Sequence, residues 1–105
     1  MSEPKINVPI EQIRAFCRRW KIVELALFGS VLREDFGPDS DVDVLVSFGP
    51  DGGITFDNRV QMQDELSALL GRRVDLVSRR AVERSPNWIR RREILSTAEP
   101  VYAAR

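Results

Sequence analysis

The sequence contains no histidine, one cysteine and two lysines, and these shortages exclude several kinds of functional site. Without histidine there can be no Ser–His or Cys–His nucleophilic pair and no histidine-ligated metal. Cys17 alone allows neither an intrachain disulfide nor a cysteine-based zinc site. A Ser–Lys catalytic pair has few candidates, because the only lysines are Lys5 and Lys21. Any catalysis by this chain must therefore depend on carboxylates or on a metal ion.

Long hydrophobic runs are also missing, and no stretch is long enough to cross a bilayer. The first five residues lack the pattern of a signal peptide, so the cytoplasm is the expected location and a membrane partner is not expected. The chain has 105 residues, of which 43% are hydrophobic and 30% charged, as is typical of a globular protein with one core. We predict a flexible lead over 1–8 and a single domain over 9–105.

The formal net charge is zero, but positive and negative residues are concentrated in different parts of the sequence. The stretch 34–65 contains nine acids and one base, Arg59, whereas 66–105 contains nine arginines and four acids. An acidic region of this kind can hold cations, and a basic region can bind phosphates or an acidic partner.

Hydrophobic periodicity predicts alternating helices and strands. The predicted helices cover about 9–20, 57–70, 79–84 and 87–96, with a further short helix at about 30–34. The predicted strands cover about 21–28, 41–48, 72–78 and 99–103. The order predicts the α/β (α+β) class, with a small mixed sheet of three to four strands flanked by helices.

The same periodicity predicts which side chains face the core. Val23, Leu25 and Leu27 are expected to share one face of the first strand. The apolar helix positions are Ile10, Ile13, Phe16, Cys17, Trp20, Val60, Met62, Leu66, Leu69, Leu70, Trp88, Ile89, Ile94 and Leu95. The two tryptophans are expected to be core or interface residues. Pro100 would confine the last strand to a sheet edge.

Two acidic residues open the second predicted strand, after a glycine–serine turn that ends the first. Asp41 and Asp43 are spaced i, i+2, so a strand would place both carboxylates on one face. Two like charges at this separation are unfavourable unless a cation lies between them, and carboxylate oxygens suit Mg²⁺ or Mn²⁺. The alternative is a strand whose exposed face is merely acidic.

The turn Gly29-Ser30 could bind phosphate, because a tight glycine turn that leads into a helix presents free backbone N–H groups to an anion. The alternative is an ordinary strand-to-helix turn with an N-cap. Asp75 interrupts the apolar run of the third strand and could join Asp41 and Asp43, although an edge position would also explain it. Three such carboxylates can hold two divalent ions.

The arginines have more than one possible role. Arg33 could contact a phosphate or form a surface ion pair. The C-terminal arginines could contact a triphosphate, RNA or a protein, or form a solvated face with Glu83 and Glu93 as partners; they are Arg79, Arg80, Arg84, Arg90, Arg91 and Arg92. Direct nucleic-acid binding is the least favoured, since aromatic residues are not interleaved with these arginines.

Taken together, these motifs resemble the minimal nucleotidyltransferase family of the DNA polymerase β-like nucleotidyltransferase superfamily. The resemblance rests on Leu27-Phe28-Gly29-Ser30, Arg33, the run from Pro38 to Val46 that contains Asp41-Val42-Asp43, and Arg73-Val74-Asp75-Leu76-Val77. It covers about 22–78, and it implies the polymerase β-like fold.

The resemblance also implies a chemistry. Asp41, Asp43 and Asp75 would be the catalytic residues and the ligands of two Mg²⁺ ions, with Mn²⁺ as an alternative. The nucleotide-binding residues would be Gly29, Ser30, Arg33 and Ser40. The reaction would transfer AMP from ATP to a hydroxyl group.

Small proteins similar to this one are typically antitoxins, which implies a protein partner. The expected partner is a HEPN ribonuclease toxin whose tyrosine receives the AMP. Because the chain is short, a partner or a second copy in a homodimer would complete the site. The competing hypothesis is a non-catalytic module that neutralises its partner by contact.

Overall fold

The computed structural model of the chain describes residues 8–29, 41–50, 53 and 55–104. The helices are α1 (Ile10–Trp20), α2 (Phe56–Leu70), α3 (Arg79–Glu83) and α4 (Trp88–Thr97). The strands are β1 (Ile22–Phe28), β2 (Val42–Phe48), β3 (Val74–Ser78) and β4 (Glu99–Ala103). Each was predicted to within two residues at either end. The short helix predicted at 30–34 lies outside the described residues, as does the predicted lead apart from Val8, which packs against the core.

The strands form one mixed sheet in the order β3-β2-β1-β4. Strand β2 pairs in parallel with β3 and antiparallel with β1, and β1 pairs antiparallel with β4. Strand β4 is an edge strand, as Pro100 predicted. The predicted small mixed sheet flanked by helices is therefore confirmed.

The core lies on both faces of the sheet. On one face, Val42, Val44 and Val46 belong to a cluster with residues of α1 and α2. On the other face, Leu45 belongs to a smaller cluster with residues of β1, α3 and α4. Leu45 therefore lies on the face of β2 opposite the three valines. Along the described residues, no helix is long and apolar enough to cross a membrane.

Cys17 lies inside the larger cluster, with its side chain fully buried. Burial disfavours the thiolate and raises the pKa of this thiol to about 12. The side chain is therefore protonated at neutral pH and acts as a small apolar core residue.

Strand β1 departs from the predicted alternation at its start. The pairing with β2 shifts register between Ile22 and Glu24, as in a β-bulge. One extra residue reverses which face the following side chains occupy, so Ile22 shares the core cluster with Leu25 and Leu27. Val23, predicted to lie on that face, is 39% exposed instead.

Four residues predicted as core members of helices are exposed, and the prediction was wrong for them. They are Ile10, Val60, Trp88 and Ile89. In α4 the buried residue is Ile94, near the end of the helix, so the first turn lies away from the core. Of the two predictions for Trp88, core and interface, the structure excludes the core.

The ends of α2 follow from local sequence. Thr55 and Asn58 form a capping box, in which each side chain accepts a hydrogen bond from the other residue's backbone N–H. At the other end Gly71 adopts a left-handed conformation with φ 68°, which is typical of the glycine that ends a helix.

Side chains of α2 hydrogen-bond to the outer edge of β3, which has no neighbouring strand on that side. Ser67 Oγ accepts from the Val74 N–H at 3.2 Å, and Gln63 Oε1 accepts from the Leu76 N–H at 3.0 Å. Arg59 Nη2 donates to the Leu76 carbonyl at 2.7 Å. The spacing of four residues places all three on one face of the helix. They satisfy backbone groups that would otherwise be open to pairing with another strand.

Replacing Gln63 with leucine is expected to lower the free energy of unfolding by about 1–3 kcal/mol, because the Leu76 N–H loses its acceptor. Urea denaturation monitored by circular dichroism would measure the change. Gln61→Leu is the matched control, since Gln61 is exposed on the same helix. Equal stability of the two variants would contradict the proposed role of Gln63.

Candidate active site

Gly29 follows β1 directly and packs against the carboxylate of Asp43. Its φ of 76° is left-handed, a conformation that a side chain disfavours. A Cβ built on Gly29 would overlap Asp43 Oδ2 and lie 3.2 Å from Asp43 Cγ. Both the backbone conformation and the position of the Asp43 carboxylate therefore favour glycine here, since a side chain would displace that carboxylate.

The sheet brings Asp43 and Asp75 together. In the parallel pairing of β2 with β3, Asp43 is the register partner of Asp75. Register partners in neighbouring strands point to the same face, so the two carboxylates lie on the face opposite the valines of β2. Asp75 lies at an edge and also beside Asp43, since β3 is the edge strand next to β2.

Asp41 lies two residues before Asp43, at the same end of the sheet. The Val42 N–H donates to the Arg73 carbonyl at 2.8 Å, which extends the ladder by one step beyond β3. Asp41 Oδ1 lies 3.3 Å from Arg73 Nε. Asp75 is paired similarly, with its Oδ1 3.6 Å from Arg59 Nη2.

Both ion pairs are exposed to solvent and are weak. The side chains of Arg73 and Arg59 are 83% and 44% exposed, and water screens such pairs to about 0–1 kcal/mol. A divalent cation could therefore replace either arginine as the counter-charge.

The carboxylate oxygens at this site are suitable ligands for a hard divalent cation. Asp43 and Asp75 are neighbouring carboxylates, which suit Mg²⁺ or Mn²⁺, and Gly29 leaves room beside Asp43. Within the described residues, no group of three or more Asp, Glu, Cys or His side chains is gathered as a metal site. The joint action of Asp41, Asp43 and Asp75 as metal ligands stays a prediction.

Three of the predicted nucleotide-binding residues lie outside the described part of the chain. They are Ser30, Arg33 and Ser40. Gly29 is the described member of this set, and it lies against Asp43. Its role in binding phosphate stays a prediction.

Sequence reasoning missed the arginines beside the carboxylates. Arg59 contacts both Asp75 and the Leu76 carbonyl, and Arg73 contacts Asp41. Arg59 had a visible signal, because it is the one base in the acidic stretch 34–65. Its target could not be read from the sequence, since α2 and β3 meet only in the folded chain.

Several of the C-terminal arginines have polar partners among the described residues. Arg79 pairs with Glu24 at 2.9 Å and with Glu83 at 3.5 Å, and Arg91 Nη1 donates to the Ser85 carbonyl at 3.0 Å. The predicted partnership with Glu83 is thus confirmed for Arg79. Near this region a cleft of about 860 Å³ opens between the loop after β2, the end of β3 and α3.

Comparison with known proteins decides the family. The sequence model of a family described as "Nucleotidyltransferase domain" matches residues 10–99. The chain belongs to this nucleotidyltransferase domain family. The match spans β2 and β3 and therefore includes Asp41, Asp43 and Asp75, the carboxylates on which the resemblance rested.

A curated relative is the protein adenylyltransferase MntA of Thermococcus cleftensis. The two are 37% identical over 65 residues, which is 62% of this chain and 64% of the relative. The match thus spans less than two thirds of the relative's length.

Solved structures share the fold. One is assigned to a minimal nucleotidyltransferase, with a TM-score of 0.66 and 35% identity over 87% of each chain. Another is a toxin–antitoxin pair with AMP-PNP, with a TM-score of 0.70 and 20% identity over 93% of this chain and 76% of that chain. A third holds a tri-AMPylated HEPN toxin of Shewanella oneidensis with its MNT antitoxin, with a TM-score of 0.60 and 21% identity over 90% and 70%. At such low identity the last two likenesses show a shared fold alone.

Proposed function

We propose that this chain is a Mg²⁺-dependent nucleotidyltransferase that transfers AMP from ATP to a hydroxyl group of a protein. The observation that carries the proposal is the contact of Gly29 with Asp43, which is itself in register with Asp75. This arrangement lies within the stretch that matches the nucleotidyltransferase domain.

In the proposed reaction the acceptor oxygen attacks the α-phosphorus of ATP, and the bond from that phosphorus to the β-phosphate bridging oxygen breaks. Pyrophosphate leaves, and AMP remains on the acceptor. The proton of the acceptor hydroxyl passes to a carboxylate, for which Asp75 at the exposed sheet edge is the candidate. Asp41, Asp43 and Asp75 would hold the Mg²⁺ ions, which supply positive charge against the triphosphate oxygens.

We propose a HEPN-type toxin as the protein partner and a tyrosine as the acceptor. Two observations on other proteins support this: the relative MntA is named a protein adenylyltransferase, and an MNT antitoxin of the same fold was solved with an AMPylated HEPN toxin. Because about half of the Asp75 side chain (51%) is exposed, a partner or a second copy could complete the acceptor side of the site.

The test is label transfer to the protein encoded beside this chain in its genome. ATP labelled at the α-phosphate should label that protein in the presence of Mg²⁺, whereas ATP labelled at the γ-phosphate should not. Chelation by EDTA should abolish the signal, and mutation of the acceptor tyrosine to phenylalanine should remove it. Transfer of the γ-label would show that the chain phosphorylates its partner instead of transferring AMP, and this would overturn the proposal.

A second candidate function is neutralisation by contact, without catalysis. The observation in its favour is the exposed pair Trp88 and Ile89, 58% and 62% exposed, beside Arg90, Arg91 and Arg92. Exposed aromatic and arginine side chains are common in protein interfaces.

The double variant Asp41→Asn/Asp43→Asn separates the two functions. If it binds the neighbouring protein but no longer protects cells from it, catalysis is required. If protection is retained, contact alone is sufficient. The variant Trp88→Ala/Ile89→Ala tests the proposed surface, since it should weaken binding while leaving the carboxylates unchanged.

A further inference from the structure

We propose that the cleft of about 860 Å³ beside α3 is a second anion site, which binds a phosphate-bearing ligand of about the size of a nucleotide. The cleft is lined by residues from three places: the end of β2 and the loop after it, the start of α2, and the run from β3 into α3. Its volume lies in the range of ligand pockets, about 300–1,000 Å³. The proposal is independent of the proposed transferase activity.

The described lining of the cleft carries more positive than negative side chains. Its described lining includes Arg59, Arg79, Arg80 and Arg84, against one acid, Glu83. Arg79 is neutralised by Glu24 and Glu83, and Arg59 is held by Asp75 and the Leu76 carbonyl.

Arg80 and Arg84 are different from the other two. Among the described residues, neither guanidinium has an ion-pair partner, although both line the cleft and are exposed. Two unneutralised charges one helical turn apart would repel each other, and an anion between them would remove this repulsion.

The chemistry of the lining favours phosphate. Its cations are all arginines, whose planar groups donate two parallel hydrogen bonds to a phosphate. Phe48, Leu76 and Val77 add an apolar surface, so the cleft could hold a flat organic group beside the phosphates.

The cleft lies at the opposite end of β2 from Asp43, although it borders Asp75. Asp43 is near the start of β2, whereas the cleft is lined by the last two residues of that strand, Ser47 and Phe48, and by Leu76, Val77 and Ser78 of β3. Ser47, which lines it, is four residues beyond Asp43, or about 13 Å along an extended strand. Arg59 lies between the two sites, since it lines the cleft and pairs with Asp75.

The test measures binding of ADP and of inorganic tripolyphosphate by calorimetry, in EDTA so that no metal-dependent binding contributes. Arg80→Gln/Arg84→Gln should weaken binding of both probes by about 10-fold or more, because two charged donors are lost. The matched control is Arg90→Gln/Arg92→Gln, which removes the same charge from exposed positions of α4 outside the cleft. The control should change affinity by about 2-fold or less, as expected of screened surface charges.

The same comparison of the two double variants in the Asp43→Asn background removes any contribution of the carboxylate site to binding. The loss of affinity caused by Arg80→Gln/Arg84→Gln should persist in that background. Tighter binding of ADP than of tripolyphosphate would identify a nucleotide as the ligand, and equal binding would identify a phosphate chain; both support the site. Equal weakening by the two double variants, no weakening by Arg80→Gln/Arg84→Gln, or far tighter binding of a 12-nucleotide RNA would overturn the proposal. Should the double variant not fold, the single variants Arg80→Gln and Arg84→Gln give the same comparison.

Discussion

Asp43→Asn is expected to lower the rate of AMP transfer by about 10³-fold, because one carboxylate that would hold the cation loses its charge. The fold should be retained, since asparagine has nearly the same size and loss of one of two neighbouring negative charges reduces repulsion with Asp75. Initial rates of α-label transfer at saturating Mg²⁺ and ATP would give the first quantity, and thermal denaturation would give the second.

The matched control for this experiment is Asp64→Asn. Asp64 is an exposed acid of α2 and is not one of the helix residues that bond to the edge of β3, which are Arg59, Gln63 and Ser67. The control should leave the transfer rate within about 2-fold of the wild type, as expected of an exposed surface substitution. A similar loss of transfer rate in both variants would show that the rate depends on the overall negative charge of the surface and not on the position of Asp43.

Gly29→Ala is expected to lower the transfer rate by about 100-fold, because its Cβ would displace the Asp43 carboxylate, and misplacement of a reacting group by about 1 Å has effects of this size. The left-handed φ of 76° adds a loss of stability of about 1–2 kcal/mol. Transfer rates and urea denaturation of the same preparation would measure both effects.

Gly71→Ala separates the two causes. Gly71 has a similar φ of 68°, but a Cβ there would meet nothing within 4 Å. This variant should therefore lose a similar amount of stability through backbone strain and retain its transfer rate. If both variants lost activity equally, the loss would come from reduced stability, and the contact with Asp43 would have no catalytic role.

Local patterns in the sequence were enough to predict the helices and strands. The periodicities of α2 and β2 are local properties of the chain, so each of these two elements could be predicted to within one residue at either end. The motif Gly29-Ser30 with Asp41 and Asp43 also depends on short spacings, and it identified the family that the match over 10–99 then confirmed.

Which distant residues meet depends on how the folded chain packs. Asp75 stands beside Asp43 because β3 pairs in parallel with β2 in one register, and a chain pattern does not specify a register between strands separated by a helix. Arg59 reaches Asp75, and Trp88 turns to solvent, for the same reason: burial and contact depend on how helices dock against the sheet. The local sequence can predict the conformation of a segment, whereas the contacts between segments depend on how the whole chain packs.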